Sequence, residues 1–324
     1  VLSRDLRTLI EATVKKGEQV IIMLNRRGFS TFILCRDCGE VLRCKDCGLP
    51  LVYHANGALL CHHCDLRVSV PETCPKCGSR YIKYFGSGTE KLEEELGQML
   101  PAARVVRMDR DTTGRKLAHT EILTRFRRRD FDILLGTQMV AKGHDLPGVQ
   151  TVGIISADAS LNLPDFRAAE RCFMLITQTA GRAGRHGARG EDIVQTYNPE
   201  HYAVQTAMQQ DYAAFAAQEL ALRRELFYPP FSRLVKLLFR NLSRTRAWNE
   251  AQSFVAAFQT EFAGANGCVV IGPSPALIER ERNEYRFIAL IKTDTLADVQ
   301  AYLRAQGLHL RDDIAIDIDP IAIF

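Results

Sequence analysis

The chain has 324 residues, enough for two or three domains, each with its own core. Apolar residues make up 46% and charged residues 25%, the composition of an ordinary globular protein. With 42 basic against 38 acidic residues the net charge is only +4, which excludes a general polycation, so any nucleic-acid contact has to come from local patches. No apolar run is long enough to span a bilayer as a helix. Val1-Leu2-Ser3-Arg4-Asp5 has the pattern of neither a signal nor a transit peptide, and the absent initiator Met suggests a piece of a longer protein.

Residues 1–16 are predicted helical, with Leu6, Leu9, Ile10 and Val14 on one face, and Gly17 stops the helix. Gln19 to Leu24 reads as a buried parallel strand, with Asn25-Arg26-Arg27-Gly28 at its carboxyl end. A short run from Ser30 to Leu34 leads into a cysteine-rich segment. Beyond Cys77 an α/β alternation is expected to resume: strand 81–85, a glycine turn at Gly86-Ser87-Gly88-Thr89, helix 90–99, strand 104–108 and helix 117–128. Strand 131–135, strand 149–156, helix 167–179 and strand 192–197 follow. Such an order implies a parallel sheet covered on both faces, with the cysteine block as an insertion. Residues 201–227 read as one long helical stretch that Tyr228-Pro229-Pro230 ends. The remainder reads strand 234–239, helix 245–262, strand 268–271, strand 287–292, helix 296–305 and strand 314–318, the βαββαβ order of ferredoxin-like domains.

Eight of the ten cysteines lie between Cys35 and Cys77 as four Cys-x-x-Cys pairs, and Gly39, Gly48 and Gly78 follow three of them. This is the zinc-knuckle pattern, in which the spacing lets two thiolates reach one tetrahedral ion and glycine permits the tight backbone. Eight thiolates make two sites. Spacing alone leaves open which pairs share an ion. The segment between Cys47 and Cys61 suits a short hairpin, which favours Cys44, Cys47, Cys61 and Cys64 for one zinc and leaves Cys35, Cys38, Cys74 and Cys77 for the other. This nesting also brings the insertion's entry and exit together. Closed four-cysteine sites have no open position for catalysis, so both ions are expected to be structural. The module is then a zinc-folded knob, or one that also touches DNA or a partner protein. His54, His62 and His63 are read as non-ligands, and Cys172 and Cys268 as core residues.

Three further stretches belong together: Gly136-Thr137-Gln138 through Lys142-Gly143-His144-Asp145; Asp158 through Arg171; and Gln178-Thr179-Ala180-Gly181-Arg182-Ala183-Gly184-Arg185. In the last, two arginines three apart share a face, and the small residues between them allow close approach. Guanidinium groups so placed suit phosphate recognition and charge stabilisation in phosphoryl transfer. The first and third stretches resemble motifs V and VI of superfamily 2 helicases. With the double zinc insertion, Asn25-Arg26-Arg27-Gly28, Gly86-Ser87-Gly88-Thr89-Glu90-Lys91 and Tyr228-Pro229-Pro230-Phe231-Ser232, the whole chain resembles the C-terminal half of the PriA (primosomal protein N′) family.

That resemblance implies a RecA-like second helicase lobe (1–34 and 78–200) with an inserted two-zinc module (35–77). A helical linker (201–227) and a ferredoxin-like C-terminal domain (228–324) would follow. It implies an ATP-dependent 3′→5′ DNA helicase of the bacterial cytoplasm that acts at abandoned replication forks and helps reload the replicative helicase. Its partners would be DNA, the single-strand-binding protein and other primosome proteins. Arg182 and Arg185 would be arginine fingers, Gln178, Gly143 and Asp145 would line the nucleotide cleft, and Thr137 and Gln138 would couple nucleotide state to DNA. The same nested cysteine pairing follows from it, and the C-terminal domain would be a DNA and partner surface, with Arg280, Arg282 and Arg286 either contacts there or simply a solvated face. No Gly-x-x-x-x-Gly-Lys-Ser/Thr loop and no Asp-Glu-x-His box occur in the sequence, so this chain alone is expected not to hydrolyse ATP, which with Mg²⁺ would bind only in the intact protein. The main alternative is a non-catalytic zinc-dependent binding module for DNA or protein. An RNA helicase or a transcription-linked zinc ribbon protein is the third.

Overall fold

A computed structural model describes residues 2–24, 33–35, 37–45, 50–53, 58–61, 66–84, 89–108, 118–137, 146–155, 157–181, 183, 190–263 and 267–323. Along the chain come α1 (Arg4–Lys15) and β1 (Gln19–Leu24), then the short strands of the cysteine segment, β2 (Ile33–Cys35), β3 (Val52–Tyr53), β4 (Ala58–Leu60), β5 (Arg67–Ser69) and β6 (Ile82–Tyr84). They are followed by α2 (Thr89–Met99), β7 (Val105–Met108), α3 (Ala118–Arg127), β8 (Ile133–Gly136), β9 (Val149–Ile155), α4 (Asp158–Leu161), α5 (Ala168–Ala180) and β10 (Glu191–Gln195). The rest is α6 (Tyr202–Met208), α7 (Tyr212–Glu225), β11 (Arg233–Asn241), α8 (Arg244–Glu261), β12 (Cys268–Glu281), β13 (Glu284–Thr293), α9 (Leu296–Ala305), a 3-10 turn (Leu308–Leu310) and β14 (Ile314–Ile318). Two compact units result: Val1–Ser30, Phe85–Asn162 and Ala168–Phe215 in the first, Thr31–Tyr84, Leu163–Arg167 and Ala216–Phe324 in the second. Among the described residues no helix is long and apolar enough to cross a membrane.

The first unit is built on a five-stranded parallel sheet in the order β10-β9-β1-β8-β7. Its central strand β1 is buried along its whole length because helices cover both faces. Val20, Ile22 and Leu24 pack with Leu6 and Ile10 of α1 and Leu92 and Leu96 of α2, while Ile21 and Met23 pack with Phe126 of α3 and Cys172 and Ile176 of α5. Ser3 caps α1 by accepting from the Leu6 N–H at 3.3 Å. The one polar residue of β1, Gln19, is satisfied although only 3% exposed: its Nε2 donates to the carbonyls of Phe126 at 2.7 Å and Phe131 at 2.8 Å.

The structure departs from the sequence reading in three places. The strand expected to resume the α/β order, β6, does not join the parallel sheet. It pairs antiparallel with β2, Cys35 opposite Ile82 and Ile33 opposite Tyr84, as two arms of an insertion that leaves and returns side by side. Residues 201–227 form two helices, not one. Gln210, at φ 54°, closes α6 with bonds from Gln210 N to Ala207 O and Asp211 N to Thr206 O, and the Asp211 carboxylate then accepts from Ala214 N at 2.9 Å to start α7. In the third place, β12 runs on from Ile271 to Glu281 across Gly272-Pro273 and Pro275. It lies at the sheet edge, where a proline costs no ladder bond, and its register shifts there. Gly272 has φ +105°, and a Cβ on it would stand 2.7 Å from the Ile288 carbonyl oxygen.

The C-terminal domain has the expected βαββαβ order, with an antiparallel sheet arranged β12-β13-β11-β14. Alternation places Val235, Leu237 and Phe239 of β11 and Phe287, Ala289 and Ile291 of β13 on one face, against Ala251, Phe254, Val255 and Phe258 of α8 and Val299 and Leu303 of α9. Phe258 stands at the centre of an aromatic group, its ring 4.4 Å from Phe262, 5.4 Å from Tyr302 and 5.8 Å from Phe254. The arm joining β12 and β13 turns at Arg282 and Asn283, both at positive φ, as two-residue hairpins require. Arg280 lies over Tyr285, and Arg286 donates to the Ile278 carbonyl at 2.8 and 3.0 Å, so these two arginines brace the arm.

Candidate metal centre and motor-motif positions

Two backbone turns of the same form carry the outer cysteines. Cys35 N donates to Glu40 O at 2.8 Å and Gly39 N to Cys35 O at 3.0 Å; Cys74 N donates to Ser79 O at 2.8 Å and Gly78 N to Cys74 O at 2.9 Å. Gly39 and Gly78 take φ values of 75° and 71°, which explains glycine after each second cysteine. Side chains clasp the turns together: Ser79 Oγ donates to Asp37 Oδ2 at 2.5 Å, and Lys76 pairs with Glu40 at 3.4 Å.

Cys35, Cys38, Cys74 and Cys77 converge, with all four sulfur atoms within 4.8 Å of one another. Cys35 and Cys77 are 3.6 Å apart at sulfur, as are Cys38 and Cys74. Four thiolates on tetrahedral zinc, each at about 2.3 Å, would be separated by about 3.8 Å, so the donor set fits that ion. Electrostatics agree. Burial raises the Cys35 thiol, but the N–H groups of Cys38 and Asp37 and the thiols of Cys77 and Cys38 bond to it and bring it down to about 7. The Ser79 N–H favours a Cys77 thiolate, yet the sulfur of Cys38, burial, and the sulfurs of Cys35 and Cys74 push that group up to about 12. Sulfur atoms this close cannot all carry charge without a cation among them.

Of the inner set, Cys47 and Cys64 lie outside the described residues, while Cys44 and Cys61 are buried in one apolar cluster with Ile33, Leu51 and Leu59. Cys61 N donates to Leu66 O at 2.9 Å, the bond with which both outer turns open. Strands β3 and β4 form the short hairpin between Cys47 and Cys61, and β5 adds a third strand.

Strands of a parallel sheet end at one edge, where α/β proteins place their working loops. Half-buried Thr137 follows β8 there, and Gln178 is exposed near the end of α5. Gln138, Gly143, Asp145, Arg182 and Arg185 lie outside the described residues. Asp158, which opens the second of the three motor stretches but carried no individual role there, organises this edge. Only 1% exposed, its carboxylate accepts from Thr196 Oγ1 at 3.0 Å, Tyr197 N at 3.1 Å and Asn198 Nδ2 at 2.7 Å, tying the end of β9 to the end of β10. Its sequence signals are its place at the head of the Asp158–Arg171 stretch and an acidic residue three positions beyond the apolar strand β9. Cys172 is fully buried beside it, and burial, then the Asp158 charge, push its thiol up to about 12, an inert core residue.

Residues 79–187 match the family described as the helicase conserved C-terminal domain, and residues 224–321 that described as the primosomal protein N C-terminal domain. The replication restart protein PriA of Bacillus subtilis is 43% identical over 99% of this chain and 40% of its own length. That of Synechocystis is 41% identical over 100% of this chain and likewise 40% of its own length. The chain thus spans less than half of the curated relatives it matches. The Pyrococcus furiosus Hef helicase domain overlays 59% of this chain and 24% of its own at a TM-score of 0.27 and 14% identity, too slight a likeness to carry an argument. With whole-chain identity to proteins named PriA, and with both domain families met in this order, the chain belongs to the PriA family and corresponds to its C-terminal region.

Proposed function

We propose that this chain is the second motor lobe, zinc insertion and C-terminal domain of an ATP-driven 3′→5′ DNA helicase that remodels abandoned replication forks and promotes reloading of the replicative helicase. Its divisions are 1–34 with 78–200 for the motor, 35–77 for the zinc insertion, 201–227 for the helical connection and 228–324 for the C-terminal domain. The observation that carries the reading is 43% identity, over 99% of this chain, to a replication restart protein. ATP and Mg²⁺ bind on a P-loop lobe outside this sequence. Arg182 and Arg185 reach the phosphates from this side, Gln178, Gly143 and Asp145 line the cleft, and Thr137 and Gln138 sense the DNA backbone. The partners are forked and single-stranded DNA, the single-strand-binding protein and other primosome proteins, in the bacterial cytoplasm at the nucleoid.

Two zinc ions are structural, one on Cys35, Cys38, Cys74 and Cys77 and one on Cys44, Cys47, Cys61 and Cys64. Bound zinc supplies a cross-link between the turns, and the residues supply the thiolates and the backbone N–H groups that hold them. In the intact protein, Arg182→Ala lowers DNA-stimulated ATP hydrolysis by roughly 10³–10⁵-fold while fork binding persists. Unchanged hydrolysis would sink the motor reading.

A further inference from the structure

The four outer cysteines are not equivalent towards solvent. Cys35 and Cys74 are 2% and 3% exposed, Cys38 is half-buried, and Cys77 is exposed. Pro75, Lys76 and Gly78 beside it are exposed as well, and a Cβ built on Gly78 would meet nothing within 4 Å among the described residues. Cys35 is the opposite case. It lies in β2, opposite Ile82 of β6, and its N–H donates to the Glu40 carbonyl at 2.8 Å. One sulfur is therefore fixed and covered, and the other is reachable and carried on an open turn.

The close sulfur pairs run between the two turns, not within them: Cys35 stands 3.6 Å from Cys77, and Cys38 stands 3.6 Å from Cys74. Disulfide sulfurs are about 2.05 Å apart, so each pair has to close by about 1.5 Å. The open backbone at Gly78 lets Cys77 make that movement while β2 and β6 keep their pairing. The thiolate is the form of cysteine that attacks a peroxide, and ligation to a metal keeps cysteine in that form.

We propose that Cys77 is a site of reversible oxidation by hydroperoxides, and that Cys35 resolves it as a disulfide across the two turns. The proposal rests on the reading of these cysteines as a zinc site. In the first step the Cys77 thiolate attacks one oxygen of hydrogen peroxide, the O–O bond breaks and hydroxide leaves, so that Cys77 becomes a sulfenic acid. In the second the Cys35 thiolate attacks the Cys77 sulfur, the S–O bond breaks and a second hydroxide leaves. Two protons from solvent convert both hydroxides to water; the two thiolates have lost two electrons and the peroxide has gained them. Cys38 and Cys74 then offer two donors where a structural site needs four, too few to retain zinc. A second peroxide closes their bridge in the same way. A thiol reductant returns the electrons and restores the four thiolates. Because both bridges run between turns, the turns stay cross-linked, by covalent bonds in place of a metal.

The test uses the intact protein, purified under reductant and then freed of it, with its zinc content measured first. Hydrogen peroxide is added in the presence of a zinc indicator, remaining thiols are blocked, and tryptic peptides are mapped without reduction. Cleavage after Arg27, Arg36, Arg43, Arg67, Lys76 and Arg80 places each outer cysteine in its own peptide, 28–36, 37–43, 68–76 and 77–80. The expected first product joins 28–36 to 77–80 and rises together with released zinc, and dithiothreitol with added zinc reverses both. Cys77→His keeps a zinc ligand but has no sulfur to oxidise, and it should release zinc more slowly at the same peroxide dose. A first product joining 28–36 to 37–43, within one turn, would overturn this proposal and leave the zinc reading standing. So would zinc retained through the treatment, zinc released without a linked pair, or release from Cys77→His as fast as from the unsubstituted protein. Absence of zinc from the untreated protein would overturn the zinc reading and this proposal with it.

Discussion

In the cysteine insertion the strands are two or three residues long, and the apolar cluster gathers around Leu51, Leu59, Cys44 and Cys61. In the C-terminal domain, strands of up to 14 residues close over Phe239, Phe254, Phe258 and Phe287. A unit as small as the first cannot bury enough surface to offset the chain entropy of ordering its turns, and a metal on its converging cysteines would supply the cross-link that takes the place of a core. The second needs no such link, because two helices and a four-stranded sheet remove a continuous apolar face from water. The difference teaches that, with zinc on its cysteines as proposed, the first region would answer to metal, thiol state and pH, and the second to packing volume.

The largest expected effect comes from taking away a ligand. Cys74→Ser leaves three thiolates around the outer site and forfeits most of the roughly 10–16 kcal/mol that structural zinc supplies at neutral pH. Elemental analysis should show zinc lost, and limited proteolysis should cut within 33–84 while α8 keeps its exchange protection. Parallel loss of protection in α8 would break the comparison. Next in size is Phe258→Ala, a ring 1% exposed, with an expected cost of about 3–5 kcal/mol read from urea unfolding of the C-terminal domain. Zinc content should not change.

Acid should separate the two regions without mutation. Protons compete with zinc for thiolates, so the metal should leave as pH falls from about 7 towards 5, as a zinc indicator would report. The C-terminal carboxylates respond lower on the scale. The Arg311 hydrogen bond holds Asp313, and the Arg233 hydrogen bond holds Asp319, below the ordinary 3.8. A carboxylate depressed in the folded state contributes stability above its unfolded pKa and loses it as pH falls through its folded value. The domain should therefore keep its circular dichroism at pH 5; simultaneous loss of both signals would contradict this. The smallest effect is expected from Ser79→Ala, which removes an exposed bond to Asp37 worth about 1 kcal/mol or less, and should weaken zinc in chelator competition by no more than about tenfold.

How far these features could be read beforehand depended on how local their cause was. Helix α9 and strands β1 and β14 stand where periodicity put them, since burial on one face or both writes itself into consecutive residues. The knuckle glycines were equally plain, because positive φ after the second cysteine is a local demand. The reading failed where a neighbour overruled the local signal. Gly272-Pro273 looks like a stop, but an edge strand tolerates it. The Ala-rich stretch after 201 offers no glycine or proline, yet Asp211 ends one helix and caps the next. Strand β6 has an ordinary strand pattern and pairs outside the main sheet because the insertion must close on β2.

Residue spacing by itself determined that thiolates come in pairs around tight turns, that a parallel α/β sheet precedes an antiparallel βαββαβ domain, and that arginines and a glutamine recur at motor-motif intervals. These are consequences of backbone geometry over a few residues. Spacing favoured Cys35, Cys38, Cys74 and Cys77 as one set, while tertiary structure alone decided that within it Cys35 stands beside Cys77 and Cys38 beside Cys74, that Asp158 bonds to the residues after β10, and that Phe166 stacks on Tyr228 between Arg223 and Lys292. Such partners lie far apart in the chain, and only the simultaneous burial of several segments, each with its polar groups satisfied, selects one set of neighbours from the many that composition allows.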